Sequence, residues 1–339
     1  MVNFCRIADC YGQKSMVPEL IFLKIRYRLY YNFCVTFQVP YLKIIIMTSR
    51  RSFIKTSAAL SAGAFLAPSL LNYKNSTIGV QLYTVRDLMG KDPAGTLAKV
   101  AAIGFNSVEN ATYTGTQNFY GMDAKTYAKL LKDNGLINPS GHYRWGLDEK
   151  GGVLKGSMLH DWDKAVDDAA TVGIKYMVCA WLSPDERGGL DQYKKLAADC
   201  NKAGEACKKA GIQFCYHNHD FEFEKEDGKY KWDVLLNEAD KDLVKMELDL
   251  YWVAKAGLDA VTLFEQNPGR YPLWHVKDMD KTEKKSFTEV GNGVIDFKKI
   301  FKSADKAGMK YFFVEQDQCP GSPLDSITQS ISYVKKNLV

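Results

Sequence analysis

The chain has 339 residues, 46% hydrophobic and 25% charged, with a formal net charge of +5. That is ordinary globular composition, long enough for one large barrel or two small domains, and no low-complexity stretch interrupts it. Nine of the 45 Lys/Arg but only two of the 40 Asp/Glu lie in residues 1–73, so the rest holds 36 basic and 38 acidic groups, net −2, and lends no support to nucleic-acid binding.

Around Met47 the chain reads MTSRRSFIKTSAALSAGAFLAPSLL. Arg50 and Arg51 precede Phe53, Ile54 and Lys55, and an Ala-rich apolar stretch runs from Ser57 to Leu71. This resembles a twin-arginine export signal. The expectation is a signal over 47–73, a periplasmic destination, and a spurious or disordered extension over 1–46 with Met47 as the true start. The apolar stretch Leu29–Met47 carries Asn32, Gln38, Pro40 and Lys43 and makes a poor membrane span, so no stable anchor is expected once the signal is removed.

From Ile78 onward short apolar runs alternate with helical periodicity. Strands are predicted at Ile78–Tyr83, Ser107–Asn110, Asn138–Tyr143, Tyr176–Ala180, Gln213–Asn218, Val244–Leu250, Leu273–Val276 and Tyr311–Glu315. Helices are predicted at Ala94–Ile103, Ala124–Asn134, Asp161–Val172, Leu190–Ala210, Tyr230–Glu238, Asp259–Asn267, Phe297–Ala307 and Ser326–Leu338. Several stop at a glycine, such as Gly104, Gly173 and Gly308. Eight strand–helix repeats predict a single-domain (β/α)8 TIM barrel over 74–339. Five cysteines remain there (Cys179, Cys200, Cys207, Cys215, Cys319), an odd number without CxxC spacing, and are expected to be free and largely buried.

In such barrels chemistry sits at the C-terminal strand ends. Four segments end there on a possible metal ligand: FCYHNHD, KMELDLYW, LWHVKD and FFVEQD offer His217, Asp249, His275 and Glu315. Mixed imidazole and carboxylate ligands suit one divalent ion, Mn²⁺, Mg²⁺ or Zn²⁺. His217 and His219 share one strand face, as do Glu247 with Asp249 and His275 with Lys277. Glu247 is an alternative ligand or a deeper carboxylate that orients one. Gln81, Tyr83, Glu109, Asn218 and Trp252 stand at strand ends as candidate substrate contacts, and His142, His219, Lys277 and Glu315 as candidate proton-moving or charge-stabilising groups. Trp145, Trp181 and Tyr251 are further candidates to stack on a sugar ring or simply to pack. His160 has no supporting context, and Gly291-Asn292-Gly293 reads as a tight turn at least as well as a phosphate loop.

Seven segments, IGVQLYTVRD, GFNSVE, YHNHDFEF, LDLYW, HVKD, GNGVIDF and VEQD, in this order over Ile78–Val339, resemble the sugar isomerase/epimerase superfamily of xylose-isomerase-like TIM barrels. The resemblance implies one divalent metal held by a Glu, an Asp, a His and a second Glu. Asp249, His275 and Glu315 match the last three, and His217 stands where the first Glu is usual. In related epimerases two glutamates move protons on opposite faces of the sugar.

The expected function is therefore a metal-dependent sugar isomerase/epimerase that removes a proton next to a carbonyl, on a non-phosphorylated sugar. The runner-up is a keto-glycoside or keto-sugar lyase working by β-elimination. A non-catalytic sugar-binding barrel is a third reading. The partner expected is a small carbohydrate, with no nucleic acid and the oligomeric state open.

Overall fold

A computed structural model describes residues 77–339. The expected extension over 1–46 and signal over 47–73 lie outside the described residues. Eight parallel strands close a barrel: β1 (Gly79–Gln81), β2 (Ser107–Asn110), β3 (Ile137–Arg144), β4 (Tyr176–Trp181), β5 (Gln213–His217), β6 (Val244–Asp249), β7 (Leu273–Val276) and β8 (Tyr311–Val314). Each pairs with its sequence neighbour, and β8 pairs back onto β1. The runs are apolar because parallel strands under helices are buried on both faces. The predicted strands match within two residues, and the (β/α)8 architecture is the observed one.

The outer helices are α1 (Pro93–Ile103), α2 (Ala124–Asp133), α3 (Trp162–Val172), α4 (Leu190–Lys209), α5 (Lys231–Glu238), α6 (Ala260–Gln266), α7 (Phe297–Phe301), α8 (Ala304–Ala307) and α9 (Pro323–Asn337). The helix expected over Phe297–Ala307 is broken in two. Ser303 N–H reaches Ile300 O at 2.9 Å, a tighter turn than the α-helical bond it replaces. An unexpected short helix, Leu250–Lys255, begins directly after β6. A two-residue ribbon, Lys225–Glu226 with Lys229–Tyr230, turns through Asp227 and Gly228, both at positive φ. Asp-Gly is a strong signal for this hairpin turn.

Inside the barrel, Val178, Cys215, Leu273 and Phe313 form a small apolar cluster at its base. Gly79 makes room for it: a Cβ there would lie 2.3 Å from Phe313 Cδ1 and 2.8 Å from the Phe312 carbonyl oxygen. Two residues further along the same four strands stand Ala180, His217, His275 and Glu315, on the same face of the pleat. The interior therefore changes from apolar to ionisable within one layer. The five cysteines are free, four buried and Cys319 half-buried. Among the described residues no helix is long and apolar enough to cross a membrane.

Phe313 supports His275 directly, with ring centres 6.2 Å apart. Phe313→Ala should lower unfolding stability by about 3–5 kcal/mol, read from the guanidinium unfolding midpoint.

Candidate active site

Two carboxylates, both fully buried, organise the inner layer. Glu247 Oε2 meets His142 Nε2 at 2.8 Å, His217 Nδ1 at 3.0 Å and His275 Nε2 at 3.3 Å. Glu109 Oε2 meets His275 Nε2 at 2.6 Å, His142 Nε2 at 3.2 Å and Gln81 Nε2 at 2.7 Å. These contacts set the ring orientations. His217 turns Nε2 toward Asp249 Oδ2, 3.7 Å away. His275 turns Nδ1 toward Glu315 Oε2 at 2.7 Å and Asp249 Oδ2 at 3.9 Å.

The next layer holds the cation Lys277, also buried. Its Nζ lies 3.0 Å from Asp249, 2.8 Å from Glu315 and 2.7 Å from Asp317. Asp249 Oδ1 accepts the N–H groups of Tyr251 and Trp252 at 2.9 and 3.0 Å, so it caps the short helix Leu250–Lys255. That leaves Oδ2 directed at the histidines and the lysine.

The electrostatics follow from this packing. Burial opposes charge on His142, but Glu109 and Glu247 outweigh it and lift its pKa to about 9. His275 is raised for the same reason, with Glu315 added. Glu247 is pushed up to about 7 by burial and by Glu109. Burial also favours a neutral Glu109, yet His142 and His275 hold it well below the usual carboxylate range. His217 and His219 fall well below normal, through burial first and then neighbouring cations. Lys277 is raised by its three carboxylates against the cost of burial.

His217 Nε2, Asp249 Oδ2, His275 Nδ1 and Glu315 Oε2 form a donor set suited to a divalent ion. The last three residues offer ligand atoms within 4.8 Å of one another. A buried surplus of negative charge supports the fit: three carboxylates surround one ammonium. His142, His217, Glu247 and His275 also cluster within 4.8 Å. There, however, the nitrogens are engaged with Glu109 and Glu247, which makes those carboxylates orienting groups beneath the donor set.

Above this lies a cavity of about 590 Å³, whose lining includes His142, His217, His219, Trp252, Lys277 and Glu315. Tyr83 reaches it as well, from the turn after β1. Three residues expected to contact substrate are not in that lining. Gln81 spends its Nε2 on Glu109 and its Oε1 on Tyr83 N–H. Asn218 Oδ1 accepts Asp249 N–H at 2.9 Å. Glu109 lies a layer below, among the histidines. All three hold protein groups: Gln81 and Asn218 bond to adjacent strands, and Glu109 reaches His275 across the closed barrel.

Trp145 is likewise a core residue, donating to Asp199 at 3.2 Å, and Tyr251 donates to the Lys285 carbonyl. Trp181 does line the cavity. In the Gly291-Asn292-Gly293 turn the N–H groups of Gly291 and Gly293 donate to Asp278, which accounts for it as a structural turn. His160 is half-buried, in the loop between β3 and α3. The sequence reading missed Asp317 and Glu222. The latter is buried, with its pKa raised to about 7 by burial, and accepts Tyr216 O–H and His219 N–H. Its signal was the segment YHNHDFEF, which placed it one turn past His219.

Fold and site together define a TIM barrel with a candidate metal centre at its mouth. More particularly, the chain belongs to the xylose isomerase-like TIM barrel family, whose model matches residues 97–337. The inosose dehydratase of Clostridium perfringens is 28% identical over 165 residues, 43% of this chain and 55% of that protein. The chain thus spans about half the length of the curated relatives it matches. A solved sugar phosphate isomerase/epimerase from Parabacteroides distasonis is 29% identical, with a TM-score of 0.65 over 76% of this chain and 93% of that one. The IOLI protein, solved with a zinc atom, has a TM-score of 0.60 over 77% of this chain and 98% of its own at 14% identity, a likeness of fold alone.

Glu247→Gln should leave the fold intact by circular dichroism and weaken Zn²⁺ binding about 10- to 100-fold, measured by calorimetry.

Proposed function

We propose that this barrel is a metal-dependent lyase that removes a β-substituent from a keto-sugar or cyclic polyol ketone. The carrying observation is the set of proton-bearing groups beside the donor set. His142, His219 and Lys277 line the cavity there with Glu315, whereas epimerisation with two glutamate bases needs a second glutamate at the donor set. The resemblance to inosose dehydratases supports elimination over simple isomerisation.

The residues divide the work as follows. His219 lines the cavity with Nδ1 buried and without a hydrogen-bond partner, and it serves as the base that takes the proton α to the carbonyl. The C–H electron pair then forms an enolate. Collapse of the enolate breaks the C–O bond at the β-carbon, and His142 gives the departing oxygen its proton. The products are an α,β-unsaturated ketone and water or an alcohol. Lys277 presents positive charge to the developing oxyanion. His217, Asp249, His275 and Glu315 would hold a divalent ion, which would supply Lewis-acid polarisation of the carbonyl. Trp252 and Tyr83 offer aromatic surface for the ring.

Isomerisation or epimerisation is the second reading, favoured by the resemblance to the Parabacteroides structure. The test is incubation of the metal-loaded protein with keto-inositols, 3-keto-glycosides and free ketoses. Release of water or alcohol with an enone chromophore supports the lyase. Interconversion of free sugars without it overturns that reading. Binding without turnover on any of them favours the non-catalytic sugar-binding barrel. On the responsive substrate, His219→Asn should lower kcat by roughly 10²- to 10⁴-fold with little change in KM.

We also propose export through the twin-arginine route, supported by the sequence around Arg50 and Arg51. The double variant Arg50→Lys, Arg51→Lys should keep the protein in the cytoplasm. Undiminished protein in a periplasmic extract would remove the proposal.

A further inference from the structure

The charges lining the cavity are paired, with one exception. Lys277 is matched by Asp249, Glu315 and Asp317. Arg144 meets Glu149 at 3.1 Å, and Asp220 faces Lys255 at 3.7 Å. Among the described residues Arg187 forms no ion pair within 4 Å; its charge is felt at longer range by buried Glu222, whose carboxyl it holds lower than burial alone would. Its Nε donates to the Leu182 carbonyl at 2.9 Å, and its two terminal nitrogens have no protein acceptor among the described residues.

This guanidinium is nonetheless held in place. Its carbon lies 3.9 Å from the centre of the Phe221 ring and 4.9 Å from that of Trp181. Arg144 stacks on the same tryptophan at 4.4 Å. Arg144 also carries a buried Nη1 with no hydrogen-bond partner. Both arginines, with Trp181 and Phe221, line the cavity that holds His219 and Lys277. The wall therefore presents a pre-oriented planar donor fork whose two terminal nitrogens have no protein acceptor among the described residues.

We propose that this wall is an anion subsite, and that the substrate carries a carboxylate apart from its reacting carbonyl. A planar carboxylate matches the two terminal N–H groups of a guanidinium in a bidentate pair. One planar guanidinium fork suits a planar monoanion better than a tetrahedral phosphate dianion. Stacking holds the fork in its binding orientation before the ligand arrives, which reduces the ordering cost. The proposal rests on the reading of this cavity as the substrate site, though not on the reaction performed there.

Calorimetry on the full, Zn²⁺-loaded chain tests it with three probes sharing one ring: D-glucuronate, D-glucose and D-glucose 6-phosphate. Glucuronate should bind about 10- to 100-fold more tightly than glucose, and Arg187→Met should bring that ratio close to one. Arg187→Lys, which keeps the charge and loses the fork, should restore only part of it. Equal binding of glucuronate and glucose by the unaltered protein overturns the proposal. So does a preference that survives in Arg187→Met, since the carboxylate would then sit on the metal. Arg187-dependent preference for glucose 6-phosphate over glucuronate overturns the assignment to a carboxylate. Because the readout is binding, loss of the anion subsite and loss of the lyase reading are separate outcomes.

Discussion

Glu247 meeting three imidazoles in the barrel interior is the contact on which the rest of the site depends. A carboxylate with no solvent access is costly unless charge and hydrogen bonds surround it. His142, His217 and His275 supply them, and Glu109 shares two of the three. The same contacts decide which nitrogen of each ring faces upward. Removing one member of such a network typically costs about 3–5 kcal/mol, because the others remain buried without their partner. Stability and site geometry are therefore the same set of interactions.

The layering makes this possible. Below the network the barrel is filled by Val178, Cys215, Leu273 and Phe313, with Gly79 yielding the space that Phe313 needs. That apolar base keeps water from the underside of the charged layer and raises the strength of every interaction in it. Above it, Lys277 offsets three carboxylates and borders the open cavity. Ionisable groups thus run from fully enclosed to substrate-facing along a few residues of strand. The short helix after β6 contributes as well, since its first N–H groups tie down one oxygen of Asp249 and leave the other for the site.

If His217 joins Asp249, His275 and Glu315 in the proposed donor set, an imidazole takes a place that a glutamate could fill. A neutral imidazole there leaves the donor set with two carboxylates, Asp249 and Glu315, and one fewer negative charge. The groups that can carry protons beside it are then His142, His219 and Lys277. On the proposed reading these groups would remove a proton and release a neighbouring oxygen, the class of reaction that the name of the similar inosose dehydratases carries.

Eight strands, their order and the residues at their ends were legible in the sequence, because alternating burial along a strand and 3.6-residue periodicity along a helix are local properties. The inward parity of His217, His275, Asp249 and Glu315 followed from the same two-residue repeat. Only the closed barrel decided which inward residues touch one another and which face the cavity. Gln81, Glu109 and Asn218 look like substrate contacts along the chain, yet their partners are protein groups, on the next strand for Gln81 and Asn218 and across the barrel for Glu109. Arg187 had no sequence signal, because it lies in the loop after β4 and its place comes from Trp181 and Phe221. Asp278 and the Gly291–Gly293 turn lie over ten residues apart, and their hydrogen bonds turned an apparent anion loop into a structural clasp. The sequence by itself determined the period, order and polarity of the elements. Bond partners and net local charge were decided by distances that exist only once the eight strands close.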